Sequence, residues 1–354
     1  YPRTPGVRPQ PEDNPYNAWA VKTHIRGAPN GKLTGKRVAI KDNVCLAGVQ
    51  MMNGASILEG YVPEMDATIV TWLLDEGAEI LGKAVCEYYC ASGGSHTSAN
   101  GVVDNPVVPG HNAGGSSSGS TALVASGIVD MATGGDQGGS IRIPASYCGV
   151  VGIKPTHGLV PYTGIFAVEL TLDHAGPITR TVADNALMLE VMAGPDGLDP
   201  RQAGVPGKPY TEALSKGVAG LRIGVVGEGF GMPGAEAEVD ARVHEAAGKL
   251  GHTGAKISQV SLPLHRAGTS IWTPIFLEGA TDLMMHKNAY GTNMKGVFLE
   301  SLLDAHSRWR DRADEWSVTV KLGILTGHYM SSRHKGRFYG KAQNLNRQLT
   351  AAYD

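Results

Sequence analysis

The chain is 354 residues long, 42% apolar and 18% charged, with a formal net charge of −2 at pH 7. That balance excludes a highly charged disordered chain and a coiled coil, and it lacks the basic footprint of a nucleic-acid or anionic-membrane binder. No apolar stretch reaches the roughly 20 residues needed to cross a bilayer, and residues 1–20 show no basic start followed by an apolar run, so the default location is the cytoplasm.

Residues 1–34 are rich in Pro, Asn and Gly (Tyr1-Pro2, Asn14-Pro15) and read as an extended N-terminal arm. Residues 37–41 (Arg-Val-Ala-Ile-Lys) read as a short buried strand. Residues 66–77 predict a helix with Asp66 as its cap and Gly77 closing it. Residues 79–83 supply the next strand. The alternation continues with a helix at 117–128, strands at 129–133 and 149–154, a helix at 181–193, a strand at 221–226, a helix at 236–250 and a strand at 255–261. Strands alternating with helices predict an α/β fold, a mixed sheet covered by helices on both faces. From 263 to 354 the spacing of Trp272, Phe276, Leu277, Met284, Met285, Phe298, Leu299, Leu302 and Leu303 predicts a mainly helical, smaller subdomain. The expected organisation is an arm over 1–34, an α/β core over 35–262 and a helical, substrate-side segment over 263–354.

Cys45, Cys86, Cys90 and Cys148 are too few for a disulfide scaffold and match no paired zinc spacing, so they read as reduced and buried. The twelve histidines show no metal-binding spacing either, and no metal or organic cofactor is expected. Glycine is the compositional outlier: 48 residues, concentrated in 93–152, about twice the ~7% of average chains. There the sequence reads Gly114-Gly115-Ser116-Ser117-Ser118-Gly119-Ser120 and, further on, Gly134-Gly135-Asp136-Gln137-Gly138-Gly139-Ser140-Ile141-Arg142-Ile143-Pro144-Ala145. Serine is a poor nucleophile unless a base lies within hydrogen-bond reach, and the oxyanion it creates needs converging N–H donors, which glycines bring close to a substrate. Lys41, ending an apolar strand and followed by Asp42-Asn43, would be carried into an apolar layer that disfavours an ammonium.

Lys41-Asp42-Asn43, the two Gly/Ser blocks, Gly152-Ile153-Lys154-Pro155-Thr156 and Gly176-Pro177-Ile178-Thr179-Arg180 together resemble the amidase signature family, densely over about residues 35–200. Within it the chain is most similar to bacterial amidases associated with nitrile degradation, through Met51-Met52-Asn53-Gly54, Gly135-Asp136-Gln137-Gly138 and Leu159-Val160-Pro161-Tyr162-Thr163-Gly164. The resemblance implies the amidase signature fold and a Ser-Ser-Lys triad. Ser140 would be the nucleophile, Ser116, preceded by a cis peptide, the bridging serine, and Lys41 the base. The amides of Gln137, Gly138, Gly139 and Ser140 would form the oxyanion hole, with Asp136, Arg142 and Ser117 supporting the turn. Family members normally continue past a segment like Ala352-Tyr353-Asp354 into further strands, so the last part of the family fold is expected to lie outside this sequence.

The expected reaction is cleavage of the C–N bond of a small carboxylic amide through an acyl-serine, giving acid plus ammonia or amine, with carbamates, anilides and esters open to the same chemistry. Met51, Met52, Tyr88, Ile165, Phe166, Trp272 and Phe276 are the apolar candidates for the substrate pocket. Partners are expected to be a small-molecule amide and a second copy of the chain in a homodimer, not nucleic acid or membrane. Two other readings stand beside this one: a glutaminase-type subunit of a tRNA-dependent amidotransferase, and a non-catalytic binding module with the same fold. Gln137 and the Met51-Met52-Asn53 tract weigh against the first, and the presence of all three triad positions against the second. Gly115–Gly119 also spells G-x-S-x-G around Ser117, but that motif needs a preceding strand, and Val108–Ala113 reads as a loop.

Overall fold

A computed structural model describes residues 1–289 and 294–354. Among the described residues the main sheet comprises β1 (Trp19–Arg26), β2 (Arg37–Lys41), β3 (Glu79–Ala84), β4 (Met131–Asp136), β5 (Val151–Gly152) and β6 (His174–Thr179), in the order β1-β3-β2-β4-β6-β5. β2 runs parallel to β3 and β4, and the remaining pairings are antiparallel.

Strand alternation decides what each face carries. Val38, Ile40 and Met131 point into one apolar layer, closed by α1 (Thr68–Asp75) and α4 (Val182–Met192) through Ile69, Leu73, Met188 and Met192. Ala39, Ala132 and Ile178 point the other way, against Ala122, Leu123 and Val124 of α2 (Ser118–Ala125). Lys41 follows Ile40, so it shares the Ala39 face and meets the N-terminal end of α2. α3 (Arg142–Tyr147) follows the turn after β4.

Residues 222–260 stand apart from the main sheet: β7 (Arg222–Val226), α5 (Ala237–His252) and β8 (Lys256–Val260) form their own two-stranded parallel unit. The rest is helical as expected: α6 (Gly268–Ala280) continuing into a π-turn at Thr281–His286, α7 (Glu300–Ser307), α8 (Trp309–Arg312), α9 (Val318–His334) and α10 (Arg337–Tyr353). Met284, Leu302, Trp316 and Val320 of this segment share an apolar cluster with Tyr88, Tyr89 and Phe166 of the α/β part. No helix among the described residues is long and apolar enough to cross a membrane.

Four expectations are corrected. The arm over 1–34 contains β1, an edge strand paired with β3. Asp66 does not cap α1, because its carboxylate accepts from Ala47 N–H at 2.8 Å and pairs with Arg3, and the N-cap is Ala67. β4 runs on through Gly134-Gly135-Asp136, past the expected strand end at 133, and a side chain at Gly134 would lie 2.8 Å from Ile141 and Ile178. The strand at 149–154 shrinks to Val151–Gly152, and β6, with Pro177 inside it, was not foreseen.

Candidate active site

Three segments converge at the end of β4. Lys41 is fully buried; Thr133 Oγ1 accepts its backbone N–H at 2.8 Å, and its Nζ lies 2.8 Å from Ser116 Oγ and 3.3 Å from the Gly135 carbonyl. The Gly115–Ser116 peptide is cis, and the Ser116 carbonyl accepts Glu87 N–H at 3.2 Å. Ser117 joins the two Gly/Ser blocks: its N–H donates to the Ser140 carbonyl at 3.2 Å, and its hydroxyl accepts Gly135 N–H at the same distance. Ser140 is 7% exposed, so the nucleophile candidate touches solvent while Lys41 and Ser116 do not.

The neighbouring carboxylates are occupied elsewhere. Asp42 Oδ1 lies 3.2 Å from Lys83 Nζ, off the line of a good hydrogen bond, and Oδ2 accepts Met52 N–H at 3.0 Å. Burial raises the Asp42 carboxyl against the attraction of Lys83. Among the described residues no carboxylate lies within ion-pair distance of Lys41.

Asp136 builds the turn that carries Ser140. It accepts Gly139 N–H at 2.8 Å, Ile141 N–H at 3.1 Å and two guanidinium bonds from Arg142 at 3.0 and 2.9 Å. Burial raises its carboxyl, but Arg142 and the two amides outweigh it, and the group lies below its ordinary range. Gly139, at φ +127, provides backbone that other residues rarely adopt. Of the four amides expected to form an oxyanion hole, Gly139 N–H donates to Asp136 Oδ1. The amides of Gln137, Gly138 and Ser140 have no acceptor among the described residues and are the ones left to hold an oxyanion.

Gln137 is fixed from three sides. Its Nε2 donates to Asp173 Oδ1 at 2.8 Å and to Tyr162 Oη at 3.2 Å, and its backbone carbonyl accepts Trp272 Nε1–H at 2.8 Å. Asp173 also accepts Val168 and Glu169 N–H, and burial pushes its carboxyl up to about 7 despite Arg201.

Of the expected pocket residues, Trp272 and Phe276 stand at this site, stacked 4.7 Å apart on α6 with the Trp272 ring over Gly138. The other five are buried. Met51 and Phe166 are fully buried, Phe166 stacked on Tyr89 at 5.6 Å, and Tyr88 turns its hydroxyl to Ser56 at 3.1 Å. Ile165 belongs to the layer beneath α1, and Met52 is 6% exposed. Sequence reasoning missed Asp173 as a partner of Gln137. It set aside Cys90, whose thiol donates to Asn53 Oδ1 at 3.3 Å. No local pattern links either to its partner.

A family model described as Amidase matches residues 10–354. The chain belongs to the amidase family. An enantioselective amidase of Rhodococcus rhodochrous is 49% identical over 351 residues, 98% of this chain and 67% of that protein. One subunit of the glutamyl-tRNA(Gln) amidotransferase of Synechococcus sp. strain RCC307 is 38% identical over 325 residues, 92% of this chain and 66% of that protein. Among solved structures, one described as a vestigial protein complex revealing the origins of an s-triazine catabolic enzyme superposes with a TM-score of 0.78 at 30% identity, covering 90% of this chain and 64% of that one. The chain thus spans about two thirds of the length of the curated relatives it matches, and the amidase signature expected from the Gly/Ser blocks is the family these comparisons give.

Proposed function

We propose that this chain carries the catalytic machinery of a cytoplasmic amidohydrolase that cleaves small carboxylic amides through an acyl-serine. The observation that carries the reading is the 2.8 Å approach of buried Lys41 Nζ to Ser116 Oγ, on the segment that Ser117 N–H ties to Ser140. Ser140 Oγ attacks the amide carbonyl carbon and passes its proton to Ser116, whose own proton goes to Lys41. The carbonyl oxygen, now an anion, faces the amides of Gln137, Gly138 and Ser140. The proton returns through Ser116 to the leaving nitrogen, the C–N bond breaks, and ammonia or amine departs. Water then attacks the ester by the same relay, releasing the acid and restoring Ser140.

The substrate side is apolar. Behind Phe276 lies a cavity of 340 Å³ lined by Ala91, Val168, Phe276, Ala280, Met284 and Ile324, which suits an aromatic or branched aliphatic acyl group. Neither this cavity nor a larger one of 540 Å³ lined by Glu169, Glu278 and Asp282 includes the Ser-Ser-Lys residues, but Phe276, stacked on Trp272, connects the smaller one to the turn that carries Ser140. The higher identity to an amidase than to the amidotransferase subunit favours a free small-molecule amide over a glutamine donor.

Treatment with a fluorophosphonate followed by peptide mapping tests the assignment. Labelling is expected at Ser140 and is expected to vanish in Lys41→Ala. Labelling at Ser117 instead, or labelling that survives in Lys41→Ala, overturns it.

A further inference from the structure

Beside the proposed relay, the turn Tyr88–Cys90 brings two thiols to one acceptor. Cys86 Sγ and Cys90 Sγ both donate to Asn53 Oδ1, at 3.5 and 3.3 Å, and all three residues are buried. Asn53 and Cys90 adopt positive φ values of 50° and 58°, backbone that asparagine tolerates and cysteine seldom takes up. The charge of Lys41 and the hydroxyl of Ser116 also act on the Cys90 thiol. The hydrogen bond from Cys86, then Lys41 and Ser116, draw the Cys90 thiol down against burial, whereas burial and the same shared bond drive Cys86 up. Cys45 and Cys148 lack such partners, and burial pushes both up to about 12. Cys90 is 3% exposed and Cys86 fully buried.

We propose that Cys86 and Cys90 form an oxidation site, a dithiol that hydrogen peroxide closes to a disulfide beside the Lys41–Ser116 pair. The Cys90 thiolate attacks one peroxide oxygen, the O–O bond breaks, and the departing hydroxide leaves as water after taking a proton, giving a sulfenic acid. The Cys86 sulfur then attacks the Cys90 sulfur, the S–O bond breaks, and the hydroxyl departs with the Cys86 proton as a second water. Two thiols and one peroxide become one disulfide and two waters, with sulfur oxidised and peroxide oxygen reduced. Closure draws the Cys90 sulfur from Lys41 and Ser116 and pulls on Glu87, whose N–H holds the Ser116 carbonyl. The effect on turnover rests on the function proposed above; formation of the disulfide does not.

The test is graded peroxide on the whole chain, then alkylation of remaining thiols under denaturation and mapping of the tryptic peptide Ala84–Arg142, which holds both cysteines. The expected product is that peptide lighter by two hydrogens and unalkylated, with Cys45 and Cys148 still alkylated. In Cys86→Ala, which cannot close, Cys90 is expected to gain oxygen instead. Cysteines 86 and 90 that stay alkylatable, or oxidation of Cys45 or Cys148 first, overturn the proposal. Fluorophosphonate labelling of Ser140 is expected to be lost on closure and regained with dithiothreitol, and a disulfide that leaves it unchanged overturns the link to the relay. Absence of labelling in the reduced protein overturns the proposed function alone, because the mass change still decides the disulfide.

Discussion

Asp173 reaches the oxyanion turn through one side chain, Gln137, and its ionised carboxylate accepts three N–H donors from Gln137, Val168 and Glu169. Because burial raises it to about 7, it gains a proton on the acid side of neutrality and loses acceptor capacity there, with Arg201 opposing and Glu169 assisting that change. The kcat of the wild-type chain is therefore expected to fall below about pH 7, while Asp173→Asn, which cannot ionise, is expected to show a lower, flat profile across that range. An identical acid limb in both proteins would assign the limb to another group. At this scale the meeting of Lys41 and Ser116 was legible because Lys41-Asp42-Asn43 and the Gly/Ser block around Ser116 both carry the family resemblance. Asp173 and Cys90 were not, since their contacts with Gln137 and Asn53 join residues 36 and 37 positions apart and leave no local spacing to read.

Helix α6 is positioned against the β4–α3 turn by the Trp272 Nε1–Gln137 carbonyl bond and by the ring of Trp272 lying over Gly138. A methyl group at Gly138 would sit 2.7 Å from Trp272 Cζ2, closer than carbon atoms tolerate, so Gly138→Ala must displace either the ring or the turn. The expected result is a folded protein with a shifted tryptophan emission and about a hundredfold lower kcat, the scale of one mis-set oxyanion donor. Shifted emission with unchanged kcat would separate α6 from the oxyanion site. The elements themselves were legible where one periodicity ruled, as in α4, whose Thr181 side chain caps Asp184 N–H at 3.0 Å. They were illegible where packing overrode composition. Gly134-Gly135 looks like a turn but fills a central strand, where a methyl group at Gly134 would press on Ile141 and Ile178. Pro177 looks like a breaker yet lies inside β6, opposite Thr133.

The helical segment and the α/β part meet at His306, which packs edge-on to Tyr89 and Phe166 and lies 3.0 Å from the Met284 carbonyl. Burial lowers its imidazole to about 4, below the 6.5 of an exposed ring. The unfolded chain therefore binds this proton first, and stability is expected to fall as pH drops from 6.5 towards 4, by a total on the order of 3 kcal/mol from this residue. Urea midpoints at pH 7.5 and pH 5 should show about 2 kcal/mol of that loss, with a smaller one in His306→Gln; equal losses would place the acid sensitivity elsewhere. The α/β class and the helical character of 263–354 followed from periodicity. The separation of the β7–β8 unit did not, since a strand's sequence does not say which sheet it joins. Lys41, Ser116 and Ser140 come from the end of β2, the approach to α2 and the turn after β4, and only the parallel β2–β4 register brings the first to the others. A partly opened molecule lacking that register would hold Ser140 without the proposed base. Under denaturant, reactivity at Ser140 should thus report how many molecules retain the centre of the sheet, making the site an internal gauge of cooperative folding.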